Sequence, residues 1–414
     1  MKITRVSVEI MSKCSYCLSS TEVILDLGFL PPVNVMRTTD EIISVNSSYP
    51  LRLVFCKICN LTQIADELDG TLVFPENYPY LSGTTKILRD NFLEQSKEIL
   101  DFKPLKPSQL VIDIGSNDGT LLSNYVNTCD VLGIEPTNAA KVAIDNNIKT
   151  INKFFNLQVA HEILNSYGKA SLVTACNVFA HIPDLKNLMS NIDLVLETDG
   201  IFISESHYLI DLLQTLQFDT VYHEHLRYYN SNFLAKLFND FGYEIIRIKK
   251  IPTHGGSIRV WAARIGRYKC EQSVNKFLTA EKNSEHFGLK AHLTFAEKVS
   301  VWRHQFRSTI AEIKNNRFSI YAIGAPSRAS TLIAYAGLDV SDVFAVGEVS
   351  GSHKIGRYMP GTRIPITTED EVLNKKPDYL LMLSWHIADE LIPKIKSKGY
   401  EGKFIIPLPT IMII

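Results

Sequence analysis

The stretch Leu110-Val111-Ile112-Asp113-Ile114-Gly115-Ser116-Asn117-Asp118-Gly119-Thr120-Leu121 constrains the fold of this 414-residue chain more than any other. An apolar run ends in an acid, and Gly115 and Gly119 then bracket a tight turn. Glu135 follows 20 residues after Gly115, just past a second apolar run. A strand, a glycine turn opening a helix and an acid at the next strand end are how a Rossmann-like sheet holds an adenosine-containing cofactor.

The side chains around this turn favour S-adenosylmethionine over NAD. Asn117 and Asp118 would set a side chain and a negative charge against a pyrophosphate. A methionine moiety instead suits a site where backbone and Asp113 meet an ammonium and a carboxylate. Glu135 is placed to accept hydrogen bonds from ribose hydroxyls. A glycine turn that merely packs helix on strand is the alternative.

From residue 110 onward, apolar runs at 110–114, 131–134, 172–175 and 201–204 alternate with helical patterns at 139–146 and 156–164. That alternation predicts a doubly wound α/β sheet. A polar helical stretch spans about 271–314, and a second α/β unit opens at 318–323 with the turn Gly324-Ala325-Pro326-Ser327. Before residue 75 the strands look short and the apolar material is thin for a core of its own, where a metal staple helps.

The net charge of -1 gives no reason to expect nucleic acid or an anionic membrane as partner. No apolar run approaches bilayer length, and the opening Met1-Lys2-Ile3-Thr4-Arg5 lacks the apolar core of a secretory signal, so a cytoplasmic location is expected.

Four of the seven cysteines form two pairs with identical spacing, Cys14/Cys17 and Cys56/Cys59. Two intervening residues let both sulfurs reach one ion from a single turn, and two such knuckles complete a tetrahedral, structural zinc site. Disulfides are the alternative, which a reducing compartment disfavours.

Titratable groups gather at Tyr222-His223-Glu224-His225, after the strand near 201–204 and Glu205-Ser206-His207-Tyr208. Active sites of α/β sheets lie beyond such strand ends. The residues suit acid/base chemistry: a histidine base, a glutamate that orients it and a nearby tyrosine hydroxyl. In a strand, His223 and His225 would share one face, which leaves a metal pair or a plain polar loop as other readings. The segment Asn177-Val178-Phe179-Ala180-His181-Ile182-Pro183-Asp184 follows the strand near 172–175. There Asn177 would border the cofactor, and His181 would add a second histidine or simply start the next helix.

Together and in this order, these motifs and Gly356-Arg357-Tyr358-Met359-Pro360-Gly361-Thr362 resemble the sugar C-methyltransferases that act on nucleotide-linked 4-keto-deoxysugars. The C-3-methyltransferases of tetronitrose-type sugars are the pattern, and the resemblance covers almost the whole chain. It implies a zinc-binding domain (1–75), a central S-adenosylmethionine domain (76–285) and a C-terminal α/β domain (286–414) that helps hold a nucleotide sugar. It further implies that His225 is the base or its close partner, that Glu224 supports it and that Tyr222 and His181 line the site. Tyr78 and Tyr80, within Tyr78-Pro79-Tyr80-Leu81-Ser82-Gly83-Thr84, match the family's substrate-contacting segment. Methylation at carbon 3, a dTDP carrier and a monomer are implied as well. Arg328, Lys354 and Arg357 are candidates for the diphosphate, or else solvated surface charge. Two places depart from the pattern: Arg328-Ala329 replaces a lysine-glycine pair, and residues 347–354 replace an aspartate-rich stretch. An O-methyltransferase, a non-catalytic zinc-containing binding protein and an NAD-dependent sugar epimerase stay open.

Overall fold

The computed structural model describes residues 12–38, 41, 47–74 and 81–414, whose strands form three sheets. Near the N-terminus, β1 (Glu22–Leu30), β2 (Tyr49–Phe55) and β3 (Thr62–Ile64) pair antiparallel. Leu51, Leu53 and Phe55 alternate along β2 and share one hydrophobic cluster, while Val54 is buried on the other face.

The central sheet begins with β4 (Leu110–Ile114), buried at all five positions because both of its faces are covered. It continues with β5 (Asp130–Ile134), β6 (Thr150–Ile151), β7 (Ala170–Cys176) and β8 (Leu196–His207), all parallel. β8 runs through Glu205, Ser206 and His207, three residues that the sequence places beyond the strand. A two-residue strand, β9 (Arg227–Tyr228), leaves this sheet and pairs with β3 in the N-terminal one. A hairpin that the apolar pattern does not announce, β10 (Tyr243–Ile251) and β11 (Ser257–Arg264), then adds antiparallel to β8. The order is β10-β11-β8-β7-β4-β5-β6. The switch point therefore lies between β4 and β7, the place where open α/β sheets bind their ligands beyond the strand ends.

The third sheet comprises β12 (Ile320–Ile323), β13 (Val346–Glu348), β14 (Ile366–Thr368), β15 (Tyr379–Met382), β16 (Lys403–Ile406) and β17 (Met412–Ile413), ordered β14-β13-β12-β15-β16-β17. The polar helical stretch before it is two helices, Gln272–Lys282 and Gly288–Asn315, parted at Gly288, whose φ is +81°. The longer helix buries Ala291, Phe295, Val299, Trp302, Phe306, Ile310 and Ile313, one stripe at helical spacing. That stripe joins the buried face of the N-terminal sheet and the C-terminal sheet in one hydrophobic cluster. The thin N-terminal core is thus completed by residues nearly 300 positions away. No helix among the described residues is long and apolar enough to cross a membrane.

Candidate active site

The two cysteine turns face each other. Cys14 Sγ lies 3.5 Å from Cys59 Sγ and Cys17 Sγ 3.4 Å from Cys56 Sγ, with all four within 4.8 Å of one another. Zinc–sulfur bonds of about 2.3 Å in a tetrahedron set sulfurs about 3.8 Å apart, so one ion fits this set. No disulfide forms among the described residues, and no other group of three metal-ligating side chains gathers there.

At the end of β4, Gly115 has φ +70° and Val178 packs against it so closely that a Cβ would come within 2.3 Å of a Val178 methyl. Only glycine fits. Asp113 accepts a 2.6 Å hydrogen bond from Thr174 Oγ1; burial, with the Glu135 charge adding to it, pushes its carboxyl up to about 7. Glu135 accepts from the Asn117 N–H at 3.0 Å and from the N–H and hydroxyl of Thr137 at 2.9 and 2.6 Å. A carboxylate has roughly four acceptor sites, so capacity remains for a ribose hydroxyl. Two polar atoms beside the turn, Ser116 Oγ and Asn177 Oδ1, are buried without a partner. Buried orphans of this kind mark where a polar ligand belongs, and they fit the methionine end of S-adenosylmethionine. Asn117 is engaged differently from expectation: its Oδ1 accepts the Ser82 N–H at 2.8 Å, while Asp118 accepts that of Gly83 at 2.7 Å. Both side chains hold the turn that leads back toward Tyr78 and Tyr80, which lie outside the described residues.

Beyond β7 and β8, histidines converge from separate segments. The ring of His225 lies 5.0 Å from that of His181, 4.9 Å from His207 and 3.9 Å from Tyr222. His254 follows at 5.6 Å from His207. His225 Nδ1 is 2.8 Å from the Thr220 carbonyl. A carbonyl only accepts, so Nδ1 carries the hydrogen and Nε2 the lone pair of a base. Burial, reinforced by His181, holds the His225 imidazole well below its ordinary range, and burial alone brings His181 down to about 4. Burial, with Glu224 adding to it, pushes the Tyr222 phenol well above its ordinary value, so it stays a donor.

Residues 222–225 form a turn rather than a strand: the His225 N–H donates to the Tyr222 carbonyl at 3.0 Å. His223 and His225 consequently part, and His223 Nε2 meets the Pro50 carbonyl at 3.1 Å. The group that orients His225 is the Thr220 carbonyl, whereas Glu224 accepts a 2.7 Å hydrogen bond from Asn34 Nδ2.

The three basic candidates do not act together. Arg328 grips Asp219 through Nε and Nη2, both at 2.8 Å, and its guanidinium lies 4.7 Å over the Trp385 ring. Trp385 Nε1 donates to the same Asp219 at 2.7 Å. Arg328 therefore locks the C-terminal sheet to the central domain, and a diphosphate would have to compete with a buried carboxylate. Lys354 Nζ donates to the Ala325 carbonyl at 2.7 Å, at the turn after β12, and burial lowers its ammonium. Arg357 is exposed and reaches the Met36 carbonyl at 3.4 Å. Lys354 and Arg357 both bear on His353, beside Glu348. Sequence reasoning missed Asp219, Thr220 and His254. The sole cue to His254 is the Gly255-Gly256 pair after it, which lets the loop hold that histidine at φ +57°.

The chain matches three family models in succession: a zinc binding domain (residues 14–74), a methyltransferase domain (85–248) and a C-methyltransferase C-terminal domain (252–409). It is 28% identical to the C-methyltransferase NovU of Streptomyces niveus over 395 residues, 94% of each chain. Similar solved structures include an S-adenosylmethionine-dependent methyltransferase from Clostridium acetobutylicum (14% identity, 44% of this chain, 94% of that one, TM-score 0.35). Another is magnesium protoporphyrin IX methyltransferase from Synechocystis (14% identity, 42% of this chain, 82% of that one, TM-score 0.33). Three domain models matched in order, and a relative aligned along nearly the whole length, are similar to this chain throughout, and together they support an S-adenosylmethionine-dependent C-methyltransferase.

Proposed function

We propose that this protein methylates carbon 3 of a nucleotide-linked 4-keto-6-deoxysugar, with dTDP as carrier, working as a cytoplasmic monomer. The observation that carries this reading is His225: a buried, neutral imidazole whose Nδ1–H is spent on the Thr220 carbonyl and whose Nε2 is left basic. A ketone at carbon 4 acidifies the carbon-3 hydrogen enough for such a base. Nε2 takes that proton while the C–H electrons pass into an enolate. The Tyr222 hydroxyl donates to the developing oxyanion, an interaction stronger in the transition state than in the ground state. S-Adenosylmethionine, held by Asp113, Gly115, Glu135 and Asn177, would supply an electrophilic methyl for the enolate carbon and keep the C–S electron pair on its sulfur. His181 and His207 wall the base from water and, being neutral, do not compete for its proton.

The division of labour that we propose is zinc binding in 1–75, cofactor binding in 76–285 through Asp113, Gly115, Gly119, Glu135 and Asn177, and nucleotide binding in 286–414. To the diphosphate we assign Lys354 and Arg357, and to the sugar Tyr78 or Tyr80. The test is incubation with S-adenosylmethionine and a panel of nucleotide-linked 4-keto-6-deoxysugars in deuterated water, read by product mass and NMR. One added methyl, with loss of the carbon-3 hydrogen, is expected. A methyl on oxygen with that hydrogen retained, or no turnover of any sugar by zinc-loaded, cofactor-binding protein, would overturn the reading.

A further inference from the structure

We propose that Arg227 is a positioning residue that couples the zinc knuckles to the catalytic histidines. The inference rests on the roles assigned above to His225 and His181. Arg227 is 2% exposed, and its closest carboxylate among the described residues, Glu67, is 3.8 Å away. A cation buried with so distant an acid is costly unless its donors are otherwise filled. They are filled by backbone and by the first knuckle. Nη1 donates to the Ile182 carbonyl at 2.6 Å and Nη2 to the Pro183 carbonyl. These are the two residues directly after His181, so the planar guanidinium fork fixes the turn that carries that histidine. Nε donates to Ser15 Oγ at 3.0 Å.

Ser15 lies between Cys14 and Cys17, and its N–H and hydroxyl both donate to Gln63 Oε1, at 2.8 and 3.0 Å. Gln63 is the register partner of Arg227 across β3 and β9. The second knuckle holds the same strap from its other end, because Asn230 Nδ2 donates to the carbonyl of Asn60, next after Cys59, at 2.8 Å. Residues 227–230, which begin two positions after His225, are thus clamped by both cysteine turns. A single ion shared by the four sulfurs would hold the clamps in register. A tetrathiolate zinc centre carries net negative charge, which favours a buried cation beside its knuckle.

The experiment compares Arg227→Gln, Arg227→Lys and Ser15→Ala with wild type, each checked for zinc content and S-adenosylmethionine affinity. In Arg227→Gln, kcat and carbon-3 hydrogen exchange are expected to fall by about ten- to a hundredfold, the cost of a misplaced group. Zinc content and cofactor affinity should stay at wild-type values. Arg227→Lys, which keeps a donor for one carbonyl, should recover part of the loss. The imidazole resonances of His181 and His225 in histidine-labelled protein should shift in Arg227→Gln and, less, in Ser15→Ala, with no substrate present. Unshifted resonances and unchanged kcat in a folded Arg227→Gln would overturn the coupling. So would a loss of activity that tracks loss of zinc and of cofactor binding in all three variants, because Arg227 would then serve folding alone. If wild type turned over no sugar but the resonances shifted, the substrate would be wrong and the coupling right.

Discussion

The two sides of the proposed active site are built in opposite ways. The proposed cofactor side comes almost wholly from one short stretch: Asp113 to Gly119 supply an acid, two glycines and the turn, Glu135 directly follows the neighbouring strand, and Asn177 alone is added from the end of β7. The proton-transfer side is assembled from residues 181, 207, 220–225 and 254, each on a different element, and is sealed by Asp219, Arg328 and Trp385. A site made from one turn depends on backbone conformation and tolerates little change at its glycines. A site made by convergence depends on every contact that fixes the converging pieces, including contacts far along the chain.

Substitutions that act on one side and spare the other test this contrast. The largest expected effect is His225→Asn, which should lower methyl transfer by about 10²–10⁴-fold, the usual contribution of a positioned base. Isothermal titration should show unchanged cofactor affinity. Next is the seal: Asp219→Asn strands the buried Arg328 guanidinium and should destabilise the protein by about 3–5 kcal/mol, read by denaturant unfolding. Activity should fall with it while the isolated cofactor turn stays intact.

Asp113→Asn should separate the two sides in the other direction. Its folded carboxyl, pushed up to about 7, lies above the unfolded value, so the native state holds that proton more tightly and loses stability as pH rises from about 4 to 7. The amide removes that penalty, and the cofactor-free variant should be more stable than wild type at pH 8 by about 2–4 kcal/mol. It should bind S-adenosylmethionine poorly, and wild-type affinity should weaken as pH falls below about 7 and Asp113 takes up a proton. The smallest effect belongs to Asn177→Ala. Deleting one neutral acceptor should weaken cofactor binding by about tenfold and leave exchange at carbon 3 under saturating cofactor unchanged.

The same contrast explains what was legible in the sequence. The glycine turn, the strand before it and the paired cysteines are local patterns whose spacing carries their geometry. The Thr220 carbonyl that orients His225 is a backbone atom, and no residue type advertises it. Glu224 looked like the orienting group because it is adjacent in sequence, yet a turn at 222–225 sends consecutive side chains to different partners. Arg328 looked like a phosphate ligand because Asp219 is 109 positions away. The strand Arg227–Tyr228 is too short to show a period, and only pairing with β3 makes it a strand.

The most direct test of the account is carbon-3 hydrogen exchange in deuterated water, with saturating S-adenosylhomocysteine in place of the methyl donor, followed across the ordinary histidine range. A neutral, buried His225 predicts exchange by wild type at a rate flat from about pH 6 to 8, and exchange at background in His225→Asn. A rate that climbs through the normal histidine pKa, or exchange that survives in His225→Asn, would contradict the assignment of His225 as the base.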